Sequence, residues 1–303
     1  MSLAPAKPAH FNPVKTIGIV AKTHPPNVVP IVREVTEWLA ERRIDAVLEL
    51  ETAQLSGLTD RQTCSKDDLP KAVDLILVLG GDGTLLGVAN LVASANADIP
   101  VLAVNCGSLG FLTEITLPEL YSSLKSVLGG TAGIDERQML RARIQRTHQV
   151  IADRLVLNDV VVSKSVRSNI IEISIAVGGQ FVTRCRADGL IIASPTGSTA
   201  YNLAAGGPIV HPTVDALLLT PIAPHTLTNR PIVIANTVPV AVTPALGGSH
   251  LEAFASFDGQ FSMQLENGDS VKVERAARPL KVVRAESRNY FAVLREKLKW
   301  GEQ

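Results

Sequence analysis

The chain has 303 residues, enough for one large domain or two of ordinary size, and its 29 Lys and Arg are balanced by 29 Asp and Glu. A formal charge of zero argues against the basic footprint of a nucleic-acid-binding protein and against a polybasic membrane anchor. With 46% hydrophobic and 19% charged residues, a packed core is expected rather than disorder.

Cys64, Cys106 and Cys185 form no CxxC or Cys/His cluster, so three free thiols in a reducing compartment are expected. Residues 1–8 are broken by prolines and offer no apolar core for a signal peptide. No apolar run is long enough for a membrane span, so a cytoplasmic protein without membrane contact is expected.

In chain order, Thr16–Ala21 reads as a first strand, and Ile31, Val35, Trp38 and Leu39 recur at helical spacing through Arg43. Residues 46–50 read as a second strand. Residues 52–70 are polar and aperiodic and read as an exposed loop. Leu75–Leu79 is a continuous apolar run suited to a strand buried on both faces of a parallel sheet. A fourth strand at 100–104 and a helix at 117–128 complete the alternation. The pattern predicts a doubly wound α/β domain over residues 14–135.

From 136 to 285 the texture is β-rich, with short runs at 140–145, 157–163, 170–177 and 181–186. Gly178-Gly179, Asp258-Gly259 and Asn267-Gly268 read as tight hairpin turns. An antiparallel, sandwich-like domain is expected. Residues 289–300 return to helical spacing, with Phe291, Leu294 and Leu298 on one face. This C-terminal helix, within 286–303, is expected to rejoin the first domain.

The chemistry concentrates in three segments. In the first, the strand Leu75–Leu79 runs directly into Gly80, Gly81, Asp82, Gly83 and Thr84. Ligands bind at such strand ends in open α/β sheets, where glycines let them approach the backbone and helix N-termini attract phosphate. A carboxylate there repels phosphate and must serve another purpose, such as binding a hydroxyl, taking its proton or holding Mg²⁺. Helix capping by Asp82 is the simpler alternative. No Walker lysine follows, and Leu86 stands where the dinucleotide fingerprint needs its third glycine.

The second segment is Asn158-Asp159 at the start of an apolar run, either a plain turn or a pair that reads a purine edge and ribose hydroxyls. The third is 188–208, in which Ser-Pro-Thr-Gly-Ser-Thr follows a strand and precedes a short Ala-rich helix. Ser198 is a fitting N-cap there, Gly206-Gly207 fitting terminators, and Tyr201 a ring for stacking on a base. Ser194 and Ser198 lack the context of a hydrolase nucleophile.

Together these segments resemble the bacterial NAD kinases, over residues 17–285. The likeness rests on GGDGT at 80–84, Asn158-Asp159, DGLIIASPTGSTAYNLAAGGPIVHP at 188–212 and Thr-Pro-Ile-Ala-Pro-His at 220–225. It implies transfer of the ATP γ-phosphoryl group to the 2′-hydroxyl of the adenosine ribose of NAD, with Mg²⁺, giving NADP. Asp82 matches the proposed proton acceptor, with Gly80, Gly81, Gly83 and Thr84 at the nucleotide. Asn158 and Asp159 match an adenosine-contacting pair, and Asp159 is one methylene shorter than the Glu many members carry. Arg186 and Asp188 lie near the dinucleotide, and Thr199, Ala200, Tyr201, Asn202, Leu203 and Ala204 line the adenine pocket. Ala223 offers a backbone contact, and Gln260 lies near the ribose.

By the same resemblance the chain is a homodimer or homotetramer, and the β-rich domain binds NAD. No metal ligand set is expected among its residues. Gly87 stands where many relatives carry an arginine, which leaves one cationic phosphate contact unassigned. A diacylglycerol- or sphingosine-type lipid kinase sharing GGDG, and a non-catalytic NAD(P)-sensing module, are the alternatives. His10, His24, His148, His211, His225 and His250 are expected to be structural. Arg141, Arg143 and Arg146 are expected on a solvated strand face with no nucleotide role.

Overall fold

The computed structural model describes residues 13–22, 28–166, 168–226, 228–248, 250–285 and 287–300. His10 and His24 lie outside them. The chain divides into two compact units: residues up to 136 together with 280 onward, and Arg137–Pro279.

The first unit begins with β1 (Thr16–Ala21), α1 (Val28–Ala40), β2 (Asp45–Glu49), α2 (Leu50–Ser56), β3 (Thr63–Cys64) and α3 (Leu69–Ala72). It continues through β4 (Leu75–Leu79), α4 (Asp82–Ser94), β5 (Pro100–Asn105), β6 (Ile115–Thr116), α5 (Leu120–Leu128) and β7 (Ile134–Arg137). After the second unit the chain returns with β20 (Leu280–Val283) and α7 (Tyr290–Leu298).

The strand order is β3-β2-β1-β4-β5-β20-β7, with β6 paired to β5. The pairs from β3 through β5 to β20 are parallel. Every residue of β4 and β5 is buried, as their unbroken apolar runs require. In this order the connections reverse direction between β1 and β4. Such a switch point opens a crevice at the carboxyl ends of the strands, and residues 80–84 emerge there.

Residues 52–70 are not a plain loop. Glu49 accepts the Thr52 amide at 2.9 Å, Gly57 closes α2 at φ 68°, and the Thr52 hydroxyl accepts the Ala21 amide at 2.9 Å. Seven residues are too few for helical periodicity to show, and caps and a tie to β1 hold the helix instead. The C-terminal helix is capped by Asn289, whose side chain accepts the Ala292 amide. It buries Val293 and Leu294, whereas Phe291, expected on the inner face, is 48% exposed.

The second unit comprises β8 (Leu140–Arg146), β9 (Gln149–Val156), β10 (Asp159–Lys164), β11 (Ile171–Val177), β12 (Gln180–Ala187) and β13 (Gly189–Ala193). Then come α6 (Tyr201–Ala204), β14 (Ala216–Ile222), β15 (Ile232–Ala235), β16 (Val240–Ala245), β17 (Ala253–Phe257), β18 (Phe261–Leu265) and β19 (Ser270–Arg275). Two antiparallel sheets, ordered β15-β14-β13-β10-β17-β18 and β12-β11-β16-β19-β8-β9, face each other as a sandwich. Alternate residues such as Val160, Val162, Leu190, Ile192, Ile173 and Val242 fill the space between them.

Gly178-Gly179 and Asp258-Gly259 make hairpin turns with positive φ, as their composition implies. Asn267-Gly268 does not. It turns the corner from β18 in one sheet to β19 in the other, with Asn267 Oδ1 accepting the Leu246 amide at 3.0 Å. The β8–β9 hairpin turns at Thr147 and His148, both at positive φ, so no glycine announced it. Arg141, Arg143 and Arg146 are not simply solvated: they bind Asp153, Glu274 and the buried Asp269 respectively.

Glu119 ties the returning chain to the first unit. It accepts the Thr116 amide at 2.8 Å, the Thr116 hydroxyl at 2.6 Å, an Arg288 N–H at 3.0 Å and the Ser287 hydroxyl. Burial alone would raise its carboxyl pKa, but these donors outweigh it and bring the value down to about 2. Because the folded value lies below the unfolded one, this stability is present above about pH 4.3 and is lost as pH falls toward 2. Glu119→Gln should cost about 1–3 kcal/mol at pH 7. Urea unfolding of both proteins should show that gap closing between pH 5 and pH 2.5; a constant gap would contradict the linkage.

Candidate functional site

In the first unit the site is built where β4 ends. Gly80 is held by its amide to the Val104 carbonyl at 3.0 Å, Gly81 is the N-cap of α4, and Asp82 is that helix's first residue. Gly81 offers no capping side chain, so the amides of the first turn keep their positive end toward the crevice. A Cβ at Gly81, Gly83 or Gly87 would meet no atom within 4 Å. The chain's own packing does not demand glycine at these positions, which is what a ligand approaching the backbone would require.

Asp82 does not cap its own helix. Its Oδ2 accepts the Phe111 amide at 2.9 Å. Its Oδ1 accepts the Leu112 amide at 3.2 Å, the Thr113 amide at 3.0 Å and the Thr113 hydroxyl at 2.8 Å. The carboxylate thus fastens the segment that follows β5. Asn105, the last residue of β5, shapes the same segment by donating to the Ser108 carbonyl and the Thr113 hydroxyl and accepting the Gly107 amide. At Gly110 a Cβ would overlap Asp82 Oδ1, so here the chain's own packing does require glycine. Sequence reasoning does not single out this segment. Its signal is the one that marks residues 80–84, a buried strand running into polar and glycine residues: Asn105, Gly107 and Gly110.

In the second unit, Asn158 and Asp159 form a buried turn at the head of β10. Asp258 organises it. Its carboxylate accepts the amides of Leu157 at 2.7 Å, Asn158 at 2.8 Å and Asp159 at 3.0 Å, while its own amide binds the Asp159 carbonyl. Burial and then the Asp258 charge push the Asp159 carboxyl up to about 7. Near neutral pH Asp159 can therefore donate a hydrogen bond as well as accept one. In the sequence Asp258 shows itself only as a turn former.

The 194–199 turn packs directly on this pair. Ser194 donates its amide to the Asn158 carbonyl and its hydroxyl to the Leu157 carbonyl at 2.6 Å. A Cβ at Gly197 would overlap the Asn158 carbonyl, so the contact depends on glycine. Two buried acceptors remain without a partner here, Asn158 Oδ1 and Thr196 Oγ1, and Thr84 Oγ1 is likewise unpartnered in the first unit. Unpaired buried polar atoms are costly and mark places where a ligand can complete the bonding.

The other anticipated residues separate into groups. Thr199, Ala200, Leu203 and Ala204 follow the turn, and Tyr201 is 47% exposed, its ring open to a ligand. Asn202 is fully engaged inside the chain, donating to the carbonyls of Ser198 and Pro208 and accepting the Thr220 hydroxyl at 2.6 Å. Ser198 is not an N-cap. Its hydroxyl bonds the Val210 backbone, and α6 starts after Ala200 with no side-chain cap. Gln260 is exposed in the Asp258 hairpin.

Arg186, Asp188 and Ala223 gather elsewhere. Asp188 donates its amide to the Ile222 carbonyl, and the Arg186 carbonyl accepts the His225 amide. Ala223 adopts φ 43°, a conformation unusual for a residue with a side chain. In the β10–β13 register Asp159 faces Ala193 and Ser163 faces Gly189, so these residues lie at the opposite end of β13 from Asn158. His211 accepts the Thr213 amide, and His148 and His250 sit in turns at positive φ.

A glycine turn at the switch point of a parallel sheet, followed at once by a helix N-terminus, defines a phosphate-binding α/β protein. Comparison with known proteins gives the family. Residues 17–132 match the model of the ATP-NAD kinase N-terminal domain, and residues 157–285 that of the ATP-NAD kinase C-terminal domain. NAD kinases of Geotalea daltonii and Geobacter sulfurreducens are each 46% identical over 290 residues, covering 96% of this chain and 100% of theirs. Among solved structures, yeast NADH kinase complexed with NADH aligns with TM-score 0.87 and 26% identity, over 96% of this chain and 89% of that one. An Archaeoglobus fulgidus NAD kinase in complex with ATP shares the fold, with TM-score 0.74 and 24% identity, over 94% of this chain and 98% of that one. The chain belongs to the NAD kinase family. That membership sets aside a lipid kinase.

Gly83→Ala separates ligand space from folding. Alanine in the first turn of α4 should hold or raise thermal stability, by up to about 1 kcal/mol, while phosphoryl transfer falls at least about tenfold. Unchanged activity in a stable Gly83→Ala protein would show that no ligand uses this space.

Proposed function

We propose that this chain transfers the γ-phosphoryl group of ATP to the 2′-hydroxyl of the adenosine ribose of NAD, giving NADP and ADP. The observation that carries the reading is Asp82, the first residue of α4, set between two glycines whose Cβ positions are empty. The turn amides and the Thr84 hydroxyl hold phosphate oxygens. Asp82 accepts the 2′-hydroxyl proton as the new oxygen–phosphorus bond forms and the bond to the β–γ bridging oxygen breaks. Phosphoryl transfer consists mostly of such positioning and charge neutralisation.

Asn158 Oδ1 and Thr196 Oγ1, the unpartnered acceptors, take the purine amine, and Asp159 meets a ribose hydroxyl. Tyr201 stacks on the base, and Gln260 lies at the ribose. The β-rich unit, Arg137–Pro279, is thus the part that binds the dinucleotide. It is shorter than the 136–285 expected from the sequence because β20 joins the first unit's sheet. Among the described residues no group of three or more His, Cys, Asp or Glu side chains could hold a metal ion. A Mg²⁺ ion carried in by the triphosphate would need few protein ligands of its own. When bound, the ion supplies neutralisation of the phosphate charge.

We assign the Arg186, Asp188 and Ala223 group to the dinucleotide of a neighbouring copy in a homodimer or homotetramer. It stands five strand residues, about 17 Å, from Asn158. The edge strands β12 and β15 add exposed Phe181, Val182, Ile232 and Val233, apolar surface suited to burial between copies. No helix of the described residues is long and apolar enough to cross a membrane. Free Cys64, Cys106 and Cys185 suit the cytoplasm.

The test is an assay with purified protein, ATP, Mg²⁺ and NAD, reading NADP with an NADP-specific dehydrogenase. Asp82→Asn should bind NAD with nearly unchanged affinity and lose about 10²–10⁴-fold in kcat. Tyr201→Ala should instead raise KM for NAD by about 5–150-fold, the equivalent of one lost stacking contact. Activity that survives Asp82→Asn within about threefold removes the proton acceptor from the scheme.

A further inference from the structure

We infer that Thr113, backed by Asn105, is a positioning residue for phosphoryl transfer: it occupies Asp82 Oδ1 and leaves Oδ2 as the oxygen that takes the substrate proton. The inference rests on the proposed role of Asp82 and deepens it.

A carboxylate oxygen offers about two lone-pair sites. Asp82 Oδ1 already serves three donors, the amides of Leu112 and Thr113 and the Thr113 hydroxyl, the last being the shortest contact at 2.8 Å. Oδ2 serves one, the Phe111 amide. The two oxygens of one side chain are therefore unequal, and the inequality is built by the segment after β5.

The direction of each bond is determinate. The Gly107 amide can only donate, so the Asn105 atom it binds is the carbonyl oxygen; the Ser108 carbonyl can only accept, so the atom facing it is the amide nitrogen. That nitrogen also donates to the Thr113 hydroxyl oxygen at 2.8 Å. With an incoming donor on its oxygen, the Thr113 hydroxyl sends its own proton to Asp82 Oδ1. Asn105 to Thr113 to Asp82 is a one-way line of donors. Thr113 is fully buried and Asn105 nearly so, which keeps water from competing for any link. The three amides already fasten the segment to Asp82. The hydroxyl adds control over which oxygen is free.

The test compares Thr113→Val, Thr113→Ser and Asn105→Asp with wild type and Asp82→Asn, each by steady-state kinetics with NAD varied at saturating ATP and by thermal unfolding. Valine keeps the shape and removes the donor. Asn105→Asp keeps the shape and turns the donor toward Thr113 into an acceptor that competes for its proton, so the line can be tested even if valine fails to fold. Both should lower kcat by about tenfold or more with KM for NAD within about twofold, because the lost interaction acts on the reacting carboxylate rather than on binding. Thr113→Ser should restore kcat to within about threefold of wild type although it lacks the methyl group.

The inference is overturned if a folded Thr113→Val or Asn105→Asp retains kcat, or if kcat and KM worsen together in step with the melting temperature. It is equally overturned if serine is as poor as valine. If Asp82→Asn itself retains kcat, the proton-acceptor reading fails first. A loss in Asp82→Asn with none in Thr113→Val fails this inference alone.

Discussion

The Asp82 carboxylate accepts three backbone N–H groups and a hydroxyl from residues 111–113, and the first unit's site depends on that junction. It joins the turn after β4 to the segment after β5, two neighbouring parallel strands whose ends would otherwise diverge as separate loops. Charge-assisted bonds of this kind are stronger than neutral ones, and they hold the carboxylate in one orientation before any substrate arrives. Gly110 makes the approach possible by having no side chain where Asp82 Oδ1 lies. The residue proposed to accept the proton is thereby also the one that holds its surroundings in place. Such double duty makes the aspartate hard to replace: asparagine keeps the size but offers only one good acceptor atom.

The second unit uses the same device on a different scaffold. Asp258 gathers the amides of residues 157–159 just as Asp82 gathers those of 111–113, and the Asn158-Asp159 turn is shaped by it. The consequence is a second buried carboxyl, Asp159, kept beside the first and pushed up to about 7 by burial and by that neighbour's charge. Asn158 Oδ1 and Thr196 Oγ1 beside it are buried without a partner, which is costly. In the proposed complex the base and ribose would offset that cost by completing the polar pairing.

Much of this was legible in the sequence because the signals were local. An apolar run buried on both faces announced β4, and the glycines after it announced a close approach to the backbone. The sandwich could be read from alternation and from Gly178-Gly179 and Asp258-Gly259. What stayed hidden depended on long-range partners. The α2 helix hangs on Glu49 and on Thr52 reaching β1, too short for periodicity to show. The turn at Thr147 and His148 lacks glycine, and Asn267-Gly268 looks like a hairpin until the strands on either side are assigned to different sheets. At the site, Asp82 was visible but its partners were not, since residues about thirty positions away meet it only through the parallel pairing of β4 and β5. Asn202 shows the converse: it sits in the most telling segment, yet its side chain is spent inside the chain.

The most direct measurement is a crystal structure of the protein with NAD bound. The account predicts the adenosine ribose 2′-hydroxyl within about 2.6–3.2 Å of Asp82 Oδ2, with the Thr113 hydroxyl still on Oδ1. A 2′-hydroxyl held by another base, with Asp82 serving only residues 111–113, would contradict it and leave this aspartate as an anchor of the fold.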